Sequence, residues 1–209
     1  MAFTLAQAIT EVRSVLNEDS PSYWSDTSIT SWIQQGCLDF CEKSLLVIEK
    51  DTIALVTSTN EYTTSTGSSI SNALRTVHAE YNNIALQRIS YEQIRAHNAR
   101  TLGGSTVPAY YFDHYNGLTF TFYIGPTPAV TQNATLVTVY FAIRTNDITE
   151  IPWEYQQTVF LYAAHKAKFR ERQYQEALLY YQQYINNISF ARQDGLSRGV
   201  QPTDLFRIQ

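Results

Sequence analysis

Apolar residues in the first 45 positions recur every three or four residues, the spacing that places side chains on one face of an α-helix. The first set is Leu5, Ile9, Val12 and Leu16. Thr4 and Gln7 are spaced as a capping box in front of it, so we predict a first helix that ends near Asn17. A second helix is predicted from about Asp26, with the stripe Ile29, Trp32, Ile33, Gly36, Phe40 and Cys41. The two helices are expected to form a hairpin.

Between residues 46 and 150 the helical spacing gives way to alternation, which is typical of β-strands. The predicted strands are 48–56, the edges at Tyr62 and Ile70 of a Ser/Thr-rich tract at 57–71, and then 109–112, 118–124 and 134–143. Asn116 and Gly117 form a hairpin turn signal between two of these strands. A capping box from Ser90 to Gln93 predicts one short helix.

Helical spacing returns after Pro152, a residue that fits the first turn of a helix. The stripe of this helix is Gln156, Val159, Phe160, Ala163 and Ala167. The last helix is predicted from about 173 to 192, and its stripe is Tyr174, Leu178, Tyr181, Ile185 and Ile188. Asp194 and Gly195 form a stop signal behind it. Trp24, Trp32 and Trp153 are predicted to lie in the helical core or at its entrance.

Together these segments predict an α+β fold. An antiparallel bundle of four long helices is built from residues 1–45 and 151–194. It is interrupted at 46–150 by an antiparallel, β-rich insertion with one short helix, and an extended C-terminal docking tail follows at 195–209. Because the chain leaves the bundle and returns to it, we interpret the insertion as a subdomain.

The composition indicates a surface that contacts other proteins. Charged residues make up 16% of the chain, against about 25% in a typical globular protein, and 15 Tyr and 10 Phe contribute to an aromatic fraction of 13%. Tyrosine combines contact area with a polar group and is enriched at protein interfaces. The net charge of -4 provides no field that attracts nucleic acid, so we expect no DNA-binding face.

The N-terminus has no cationic run followed by an apolar core, and no apolar stretch is long enough to span a bilayer. We therefore expect no membrane contact, and folding in a cytoplasm. Cys37 and Cys41 lie one helical turn apart, where their nearly parallel Cβ vectors suit a disulfide poorly. They are interpreted as buried thiols, since the sequence offers no further ligands for a metal site beside them.

No residue pattern predicts catalysis, and we expect no enzyme, no cofactor and no metal. Gly103 and Gly104 are not followed by the helix start that phosphate binding requires. The four histidines, which form no metal-binding pair, are His78, His97, His114 and His165. A lytic enzyme needs two carboxylates across a cleft. The candidates, which qualify only by lying in the insertion, are Glu61, Glu80, Glu92 and Asp113.

Two groups of residues are candidate contact sites. Leu205, Phe206 and Ile208 lie in a tail that is too short to bury them by itself, so this tail either packs on its own bundle or orders on a partner. A basic cluster consists of Lys166, Lys168, Arg170 and Arg172. These cations either complement the negative end of their helix or face an acidic partner surface.

The order of the segments resembles that of the phage head-to-tail adaptor family, which includes the tail tubular protein A type of short-tailed phages. The resemblance spans most of the chain. It rests on the opening helix followed by 23–33 (YWSDTSITSWI), then 86–90 (LQRIS) with its short helix, 108–111 (PAYY), 118–128 ending in GPTP, and 151–152 (IP).

This resemblance implies a structural protein of the virion, located at the head–tail junction after assembly in the host cytoplasm. Such a protein joins the portal protein after DNA packaging and forms a ring, of about twelve copies if it follows the portal. The ring offers a docking surface to a tail or neck protein such as a nozzle or tail-completion component. DNA passes through it only as cargo, without sequence-specific binding.

The resemblance also implies roles for individual residues. Portal docking is expected from Leu205, Phe206, Ile208 and Arg198. Contacts between subunits or with a partner are expected from Tyr110, Tyr111, Lys166, Arg170 and Arg172. Two alternatives stay open. One is a tail-terminator or tail-completion ring, and the other is a β-rich receptor- or glycan-binding tail module with Tyr110, Tyr111 and Tyr115 as stacking residues.

Overall fold

A computed structural model of the chain describes residues 2–18, 23–56, 59–63, 72–90, 93, 107–115, 120–126 and 137–197. These residues divide into two compact units. The helical unit lies within 1–47 and 144–202, and the sheet unit lies within 48–143. In the part of the chain that is described, no helix is long and apolar enough to cross a membrane.

The helical unit contains α1 (Leu5–Val15), α2 (Asp26–Ser44), α3 (Gln156–Arg170) and α4 (Tyr174–Ser197). Two short 3-10 helices, Ile148–Glu150 and Trp153–Tyr155, precede α3. The capping box of α1 is confirmed, because Thr4 Oγ1 accepts from the Gln7 backbone N–H and the Gln7 side chain accepts from the Thr4 backbone N–H. The predicted stripe of α2 is confirmed as well, since all of its members are buried.

Small residues decide how closely the helices pack. At Gly36 on α2, a Cβ atom would lie 3.0 Å from Val159 Cγ1 and 3.1 Å from Tyr162 Cδ1, both on α3. The buried face of α4 is Ala177, Tyr184, Ile188 and Ala191. The predicted stripe of this helix was wrong in its first half, where Tyr174 and Leu178 are 57% and 55% exposed. Alanines take the buried positions because their small side chains allow a close approach.

The described part of the sheet unit contains two four-stranded sheets. The strands are β1 (Ile48–Ile53), β2 (Glu61–Thr63), β3 (Ala73–Tyr81), β4 (Ile84–Ala85), β5 (Gln87–Arg88), β6 (Tyr110–Tyr115), β7 (Phe120–Gly125) and β8 (Val137–Ile143). Their order is β1-β8-β3-β4 in one sheet and β2-β7-β6-β5 in the other. The neighbouring strands are antiparallel, apart from β5 and β6, which are parallel.

An aromatic core lies between the two sheets. The ring of Phe141 on β8 makes edge-on contacts with Phe120 and Phe122 on β7, at centroid distances of 5.5 and 6.3 Å. The three rings are almost completely buried, and Leu55, which follows β1, belongs to the same cluster. Interlocked edge-on rings add specific geometry to the hydrophobic effect, so this core fixes how the two sheets face each other.

A buried carboxylate also joins the two sheets. Asp113 on β6 accepts a hydrogen bond from the backbone N–H of Thr76 on β3 at 3.0 Å. The other oxygen of Asp113 is 2.7 Å from a guanidinium nitrogen of Arg88 on β5. Because β3 belongs to one sheet and β5 and β6 to the other, this charge-assisted bridge ties them together.

Strand β1 is an edge strand, and its surface is charged. Glu49 and Lys50 are exposed, and Asp51 follows them. The ammonium of Lys50 lies over the ring of Tyr140 on the neighbouring β8, 5.9 Å from its centroid. The outer side of this sheet therefore combines paired side chains with a row of charges.

The prediction of a fold dominated by a bundle of four long helices was wrong. The described chain is α+β with four helices and two β-sheets, and α1 spans only 11 residues. The prediction missed β3, whose burial pattern departs from simple alternation because two register shifts interrupt its pairing with β8. The β-rich region is also not entirely antiparallel, since β5 pairs with β6 in parallel.

Other local predictions had mixed outcomes. β6 and β7 pair as the predicted hairpin, and the turn at 116–117 lies outside the described residues. The capping box between Ser90 and Gln93 is present, while the remainder of that predicted helix lies outside them, as does most of the Ser/Thr-rich tract. Helix α4 continues to Ser197, past the predicted stop signal.

Candidate interaction surfaces

Aromatic rings stack beside the turn between α1 and α2. Tyr23 packs edge-on against Trp24 at a centroid distance of 4.8 Å, and Trp24 packs against the buried Trp32 at 4.9 Å. Arg170, at the end of α3, lies over Trp32 with its guanidinium carbon 5.2 Å from the ring centroid. Tyr23 is 66% exposed, so this row of rings leads from the core of the helical unit to solvent. Trp153, in contrast, is 60% exposed and outside the core.

The buried guanidinium of Arg13 fixes the turn that carries these rings. Arg13 donates hydrogen bonds to the Trp24 carbonyl at 2.8 Å and to the Asp26 carboxylate at 2.6 Å. Its second terminal nitrogen forms an ion pair with Glu18 at 3.1 Å. The Glu18 carboxylate also accepts from the backbone N–H groups of Tyr23 and Trp24. Charge-assisted bonds of this kind hold the aromatic residues in place.

Lys168, a member of the basic cluster, forms ion pairs with carboxylates of its own chain. Its ammonium is 3.2 Å from Glu171 and 3.4 Å from Glu176. Desolvation lowers the pKa of Lys168, but hydrogen bonds and attraction to the two carboxylates outweigh it and hold the pKa above its ordinary value. Glu171 in turn accepts from the indole N–H of Trp24 at 3.1 Å, which links the turn after α3 to the turn after α1.

The remaining cations of the cluster differ in their exposure. Lys166 is half-buried, with its ammonium 5.1 Å from the ring centroid of Tyr162. Arg170 is exposed in the last turn of α3, where a cation complements the helix dipole. Arg172 is exposed in the following turn and has a left-handed backbone, with φ at 63°. Arg170 and Arg172 are therefore the members of the cluster that a partner can reach most easily.

The two tyrosines at the start of β6 are placed differently. Tyr111 is 3% exposed and stacks on Phe122 with ring centroids 5.7 Å apart, so it belongs to the core. Tyr110 is half-buried, and its ring covers Gly125, where a Cβ atom would come within 2.4 Å of it. Burial raises the pKa of Tyr110. The side chain of Tyr115 lies outside the described residues. Because Tyr111 is enclosed, its ring is not open to stack on a glycan.

The described acidic residues that were candidates for catalysis either bind other groups of the fold or are exposed to solvent. Asp113 forms the bridge between the sheets. Glu80 Oε1 is 3.1 Å from His78 Nε2 on the same strand. Glu61 is exposed at the start of β2. Glu92 and His97 lie outside the described residues, and His114 is exposed on β6.

Two further polar groups are buried in the helical unit. His165 Nδ1 lies 2.9 Å from the carbonyl oxygen of Ala177 and so connects α3 to α4. Cys37 and Cys41 are free thiols in the core. Burial raises the pKa of Cys41 to about 11, and it also raises the pKa of Cys37. Across the described ranges, no group of three or more His, Cys, Asp and Glu residues is placed to hold a metal ion.

The sequence reasoning overlooked one surface of the last helix. The residues of this surface, which we call the α4 outer face, are all exposed: Gln175, Leu179, Gln182, Gln183, Asn186, Phe190 and Gln193. The signal in the sequence is a run of Gln and Asn at helical spacing, which is less conspicuous than a run of charges. The tail residues predicted to dock on a portal, Arg198, Leu205, Phe206 and Ile208, lie outside the described residues.

Comparison with known proteins identifies the family. Curated proteins give no match. The family model of the SU10 adaptor protein matches residues 3–203, which covers nearly the whole chain and both of its units. Members of this family are structural adaptors of bacteriophages, a class that is generally non-enzymatic. The chain therefore belongs to the SU10 adaptor protein family, and it is a structural component of a bacteriophage virion that contacts other head or tail proteins.

Proposed function

We propose that this adaptor protein forms a ring between the portal and the tail or neck of a bacteriophage and completes the head after DNA packaging. The observation that carries the proposal is the match of residues 3–203 to the SU10 adaptor family. An adaptor at this junction has to contact the portal, its own neighbours and the next tail component. A heterologous contact that repeats through a closing rotation produces a ring.

The likeness to the tail tubular protein A type of short-tailed phages belongs to the same proposal. A ring that follows the symmetry of the portal has about twelve copies. The net charge of -4 suits a channel through which DNA slides, because an acidic wall does not bind phosphates. DNA is then passing cargo, and the partners are the portal protein and a tail or neck protein such as a nozzle or tail-completion component.

Exposed cations at the turn between α3 and α4 provide a candidate contact with an acidic neighbour. Arg170 and Arg172 are exposed, and Lys166 stands half-buried near them on α3. Arginine suits this role because its planar group binds carboxylates in a bidentate manner. Tyr110 and Tyr111 were also expected to contact a neighbouring subunit or a partner. Because Tyr111 is buried, Tyr110, whose side chain is half-buried, is the one of the two that is open to such a contact.

The C-terminal tail is the proposed contact with the portal. Leu205, Phe206 and Ile208 are three apolar residues within four positions, and Arg198 precedes them. The family match ends at residue 203, so this assignment rests on the chemistry of the tail itself. Short segments with apolar anchors gain affinity when they order on a groove of a partner.

The proposal is tested by co-purification with the portal protein of the same phage and by electron microscopy of the complex. The full-length chain is expected to give ring-shaped density on the portal. A chain truncated after Gly199, and the variant Leu205→Ser/Phe206→Ser/Ile208→Ser, are expected to bind at least about tenfold more weakly. Absence of binding by the full-length chain would contradict portal docking and favour the tail-completion alternative.

A second variant tests the basic contact separately. Arg170→Glu/Arg172→Glu is expected to reduce ring formation on the portal, because reversing two exposed charges replaces attraction with repulsion. Lys50→Glu, at an exposed position of β1, changes the net charge by -2, as each arginine substitution does, and is the matched control for Arg170→Glu and Arg172→Glu made singly. Equal ring yields for the control and both single variants would show that the turn between α3 and α4 makes no such contact.

A further inference from the structure

The α4 outer face carries no charged residue. Its members follow one another at steps of four, three, one, three, four and three positions, so they share one side of the helix. Five of them are amides, Gln175, Gln182, Gln183, Asn186 and Gln193. The other two are Leu179 and Phe190, which are 59% and 63% exposed. The face extends over about 27 Å, from the rise of 1.5 Å per residue in an α-helix.

A neighbouring patch adds to this apolar surface. Phe169, at the end of α3, contacts the ring of Tyr174 on α4 at a centroid distance of 5.3 Å. Both rings and Leu178 are more than half exposed. Two acidic residues of α4 border the face: Glu176 is paired with Lys168, and Asp194 accepts a hydrogen bond from the hydroxyl of Tyr155. Exposed leucine and aromatic side chains therefore extend along the hairpin of α3 and α4, and the exposed cations Arg170 and Arg172 lie at its turn.

The usual solvent-facing side of a surface helix is charged, because charges are the groups that are most costly to bury. An amide is far less costly to desolvate than an ion, and each amide both donates and accepts hydrogen bonds. A face of this composition is therefore suited to be covered by protein, with the amides finding partners on whatever amide-rich surface meets them. Charged residues are likewise depleted at the centres of known interfaces.

Charge also indicates which partner covers the face. Each copy of the chain has a net charge of -4, so copies that meet through charged surfaces repel each other unless opposite charges are matched. A face without charges avoids this repulsion. The exposed side of α2 begins with uncharged polar residues, Thr27, Ser31 and Gln35 at spacings of four, and the exposed Glu42 further along that side is paired with Arg144 at 2.7 Å. A second copy of this chain thus offers a surface of matching chemistry.

We propose that the α4 outer face is covered by a second copy of this chain in the assembled adaptor. The proposal rests on the ring function proposed above and assigns one of the two contact faces of each subunit. The seven residues are fewer than the 20–30 that a standard interface uses on each side, about 800 Å². Self-association through this face is accordingly weak in free solution and strengthened where neighbours are held side by side.

Site-specific photo-crosslinking in the full-length chain tests the proposal. Benzoylphenylalanine replaces Gln183 at the centre of the face, and in the matched control it replaces Thr52, an exposed uncharged residue of β1. Crosslinks are read on the portal and in the free protein at up to about 1 mM, where contacts of millimolar affinity are populated. The expected result is a product of twice the chain mass from position 183, at least about fivefold above the control.

Each other outcome would overturn the assignment. A product that contains the portal or another phage protein would show a different occupant. Equal products from both positions would show random collision. Rings on the portal without a crosslink from position 183 would place the subunit contact elsewhere. If the wild-type chain does not bind the portal, the proposed ring function fails. A self-crosslink from position 183 in the free protein would then still support the α4 outer face as a contact between copies. If the chain neither binds the portal nor crosslinks to itself, both proposals fail.

A second variant gives a readout that does not depend on crosslinking. Gln183→Glu/Asn186→Glu adds charge to the face, and it is expected to lower the yield of rings on the portal at least about tenfold. Thr52→Glu adds one negative charge and is the matched control for the single variant Gln183→Glu, which is expected to lower the ring yield in the same direction. These variants keep exposed helix or strand positions polar, so their melting temperatures are expected to stay close to wild type. An unchanged ring yield for the double variant would contradict the proposal.

Discussion

The hydroxyl of Tyr184 on α4 donates a short hydrogen bond to the carboxylate of Asp39 on α2. Tyr184 is completely buried, and the ammonium of Lys43 lies 2.8 Å from the same carboxylate oxygen of Asp39. Burial raises the pKa of Tyr184 and the Asp39 carboxylate raises it further, so the hydroxyl stays a donor at all pH values of interest. This bond fastens the inner face of the helix whose outer face we assign to a neighbour.

Removing that hydroxyl is expected to destabilise the helical unit. Tyr184→Phe keeps the ring and deletes a hydrogen bond to a charged group, so the free energy of unfolding should fall by about 1.5–3 kcal/mol. Urea unfolding measured by circular dichroism provides the value. Tyr174→Phe, which changes an exposed ring, should shift it by less than about 0.5 kcal/mol. If Tyr184→Phe lost no more unfolding free energy than Tyr174→Phe, the ion pair with Lys43 would be sufficient to stabilise the buried Asp39 carboxylate.

The close approach of α2 and α3 makes Gly36 sensitive to a single methyl group. In Gly36→Ala the new Cβ would stand 3.0 Å from the stiff, buried side chain of Val159. Alanine gains up to about 1 kcal/mol in helix propensity, but overpacking costs about 1–3 kcal/mol, so we expect a net loss of about 1 kcal/mol. Ser31→Ala, on the exposed side of α2, has a smaller propensity gain and no clash, and it removes the exposed hydroxyl that accepts from Gln35. A rise in stability for Gly36→Ala would contradict the overpacking.

Gly125 on β7 is expected to tolerate a side chain even less. A Cβ there would lie 2.4–2.6 Å from two ring carbons and the hydroxyl oxygen of Tyr110, and the backbone of Gly125 is not left-handed, so the cost comes from space alone. Gly125→Ala should lower the free energy of unfolding by about 2 kcal/mol. In a Tyr110→Ala background the same substitution should cost at least about 1 kcal/mol less. A double-mutant cycle measures this coupling, and additive effects would rule out the clash.

The buried thiols make stability depend on pH in the alkaline range. An unfolded cysteine titrates near 9.0, whereas burial raises the pKa of Cys41 to about 11 in the folded chain. The stabilising effect is complete below pH 9.0 and is lost as pH rises towards 11, because only the unfolded state releases its proton in that interval. Each thiol should contribute a slope of about 1.4 kcal/mol per pH unit there.

The slope is measured by urea unfolding at about pH 8, 9 and 10. The first value lies below the titration of the unfolded thiol, and the last lies between the unfolded and folded pKa values of Cys41. Cys37→Ala/Cys41→Ala is the control, since its tyrosines and lysines titrate as in wild type and the difference isolates the thiols. The wild type should lose stability more steeply than the control. Parallel curves for the two proteins would show that the thiols are not protected by burial.

The sequence predicts the parts of this fold that depend on neighbours along the chain. The capping box at Thr4 and the buried stripe of α2 follow from spacing alone, because a helix brings residues three and four apart together. Strand β3 does not follow from local pattern, since its pairing with β8 crosses more than half of the sheet unit and contains two register shifts. Long-range pairing of this kind leaves no periodic signal.

The candidate surfaces were predicted only in part. The exposed cations Arg170 and Arg172 are recognisable as charges in a sequence. The α4 outer face is not recognisable in this way. The spacing of Tyr174 and Leu178 is typical of a buried stripe, but the structure buries Ala177 and Tyr184 instead. Which side of an amphipathic helix is buried depends on the size of the residues it meets. The run of Gln and Asn at helical spacing is the one signal of this face in the sequence of α4, and it is less conspicuous than the spacing of the large apolar residues.

The charged edge of the first sheet matters for any protein that accumulates at high local density. A flat, uncharged edge strand invites the same strand of a neighbour to add to it, and repeated addition leads to fibres. In β1, Glu49, Lys50 and Asp51 oppose such growth, because like charges would come into register when two copies pair. These charges thereby disfavour strand-to-strand addition between copies and leave side-chain surfaces as the places where copies meet.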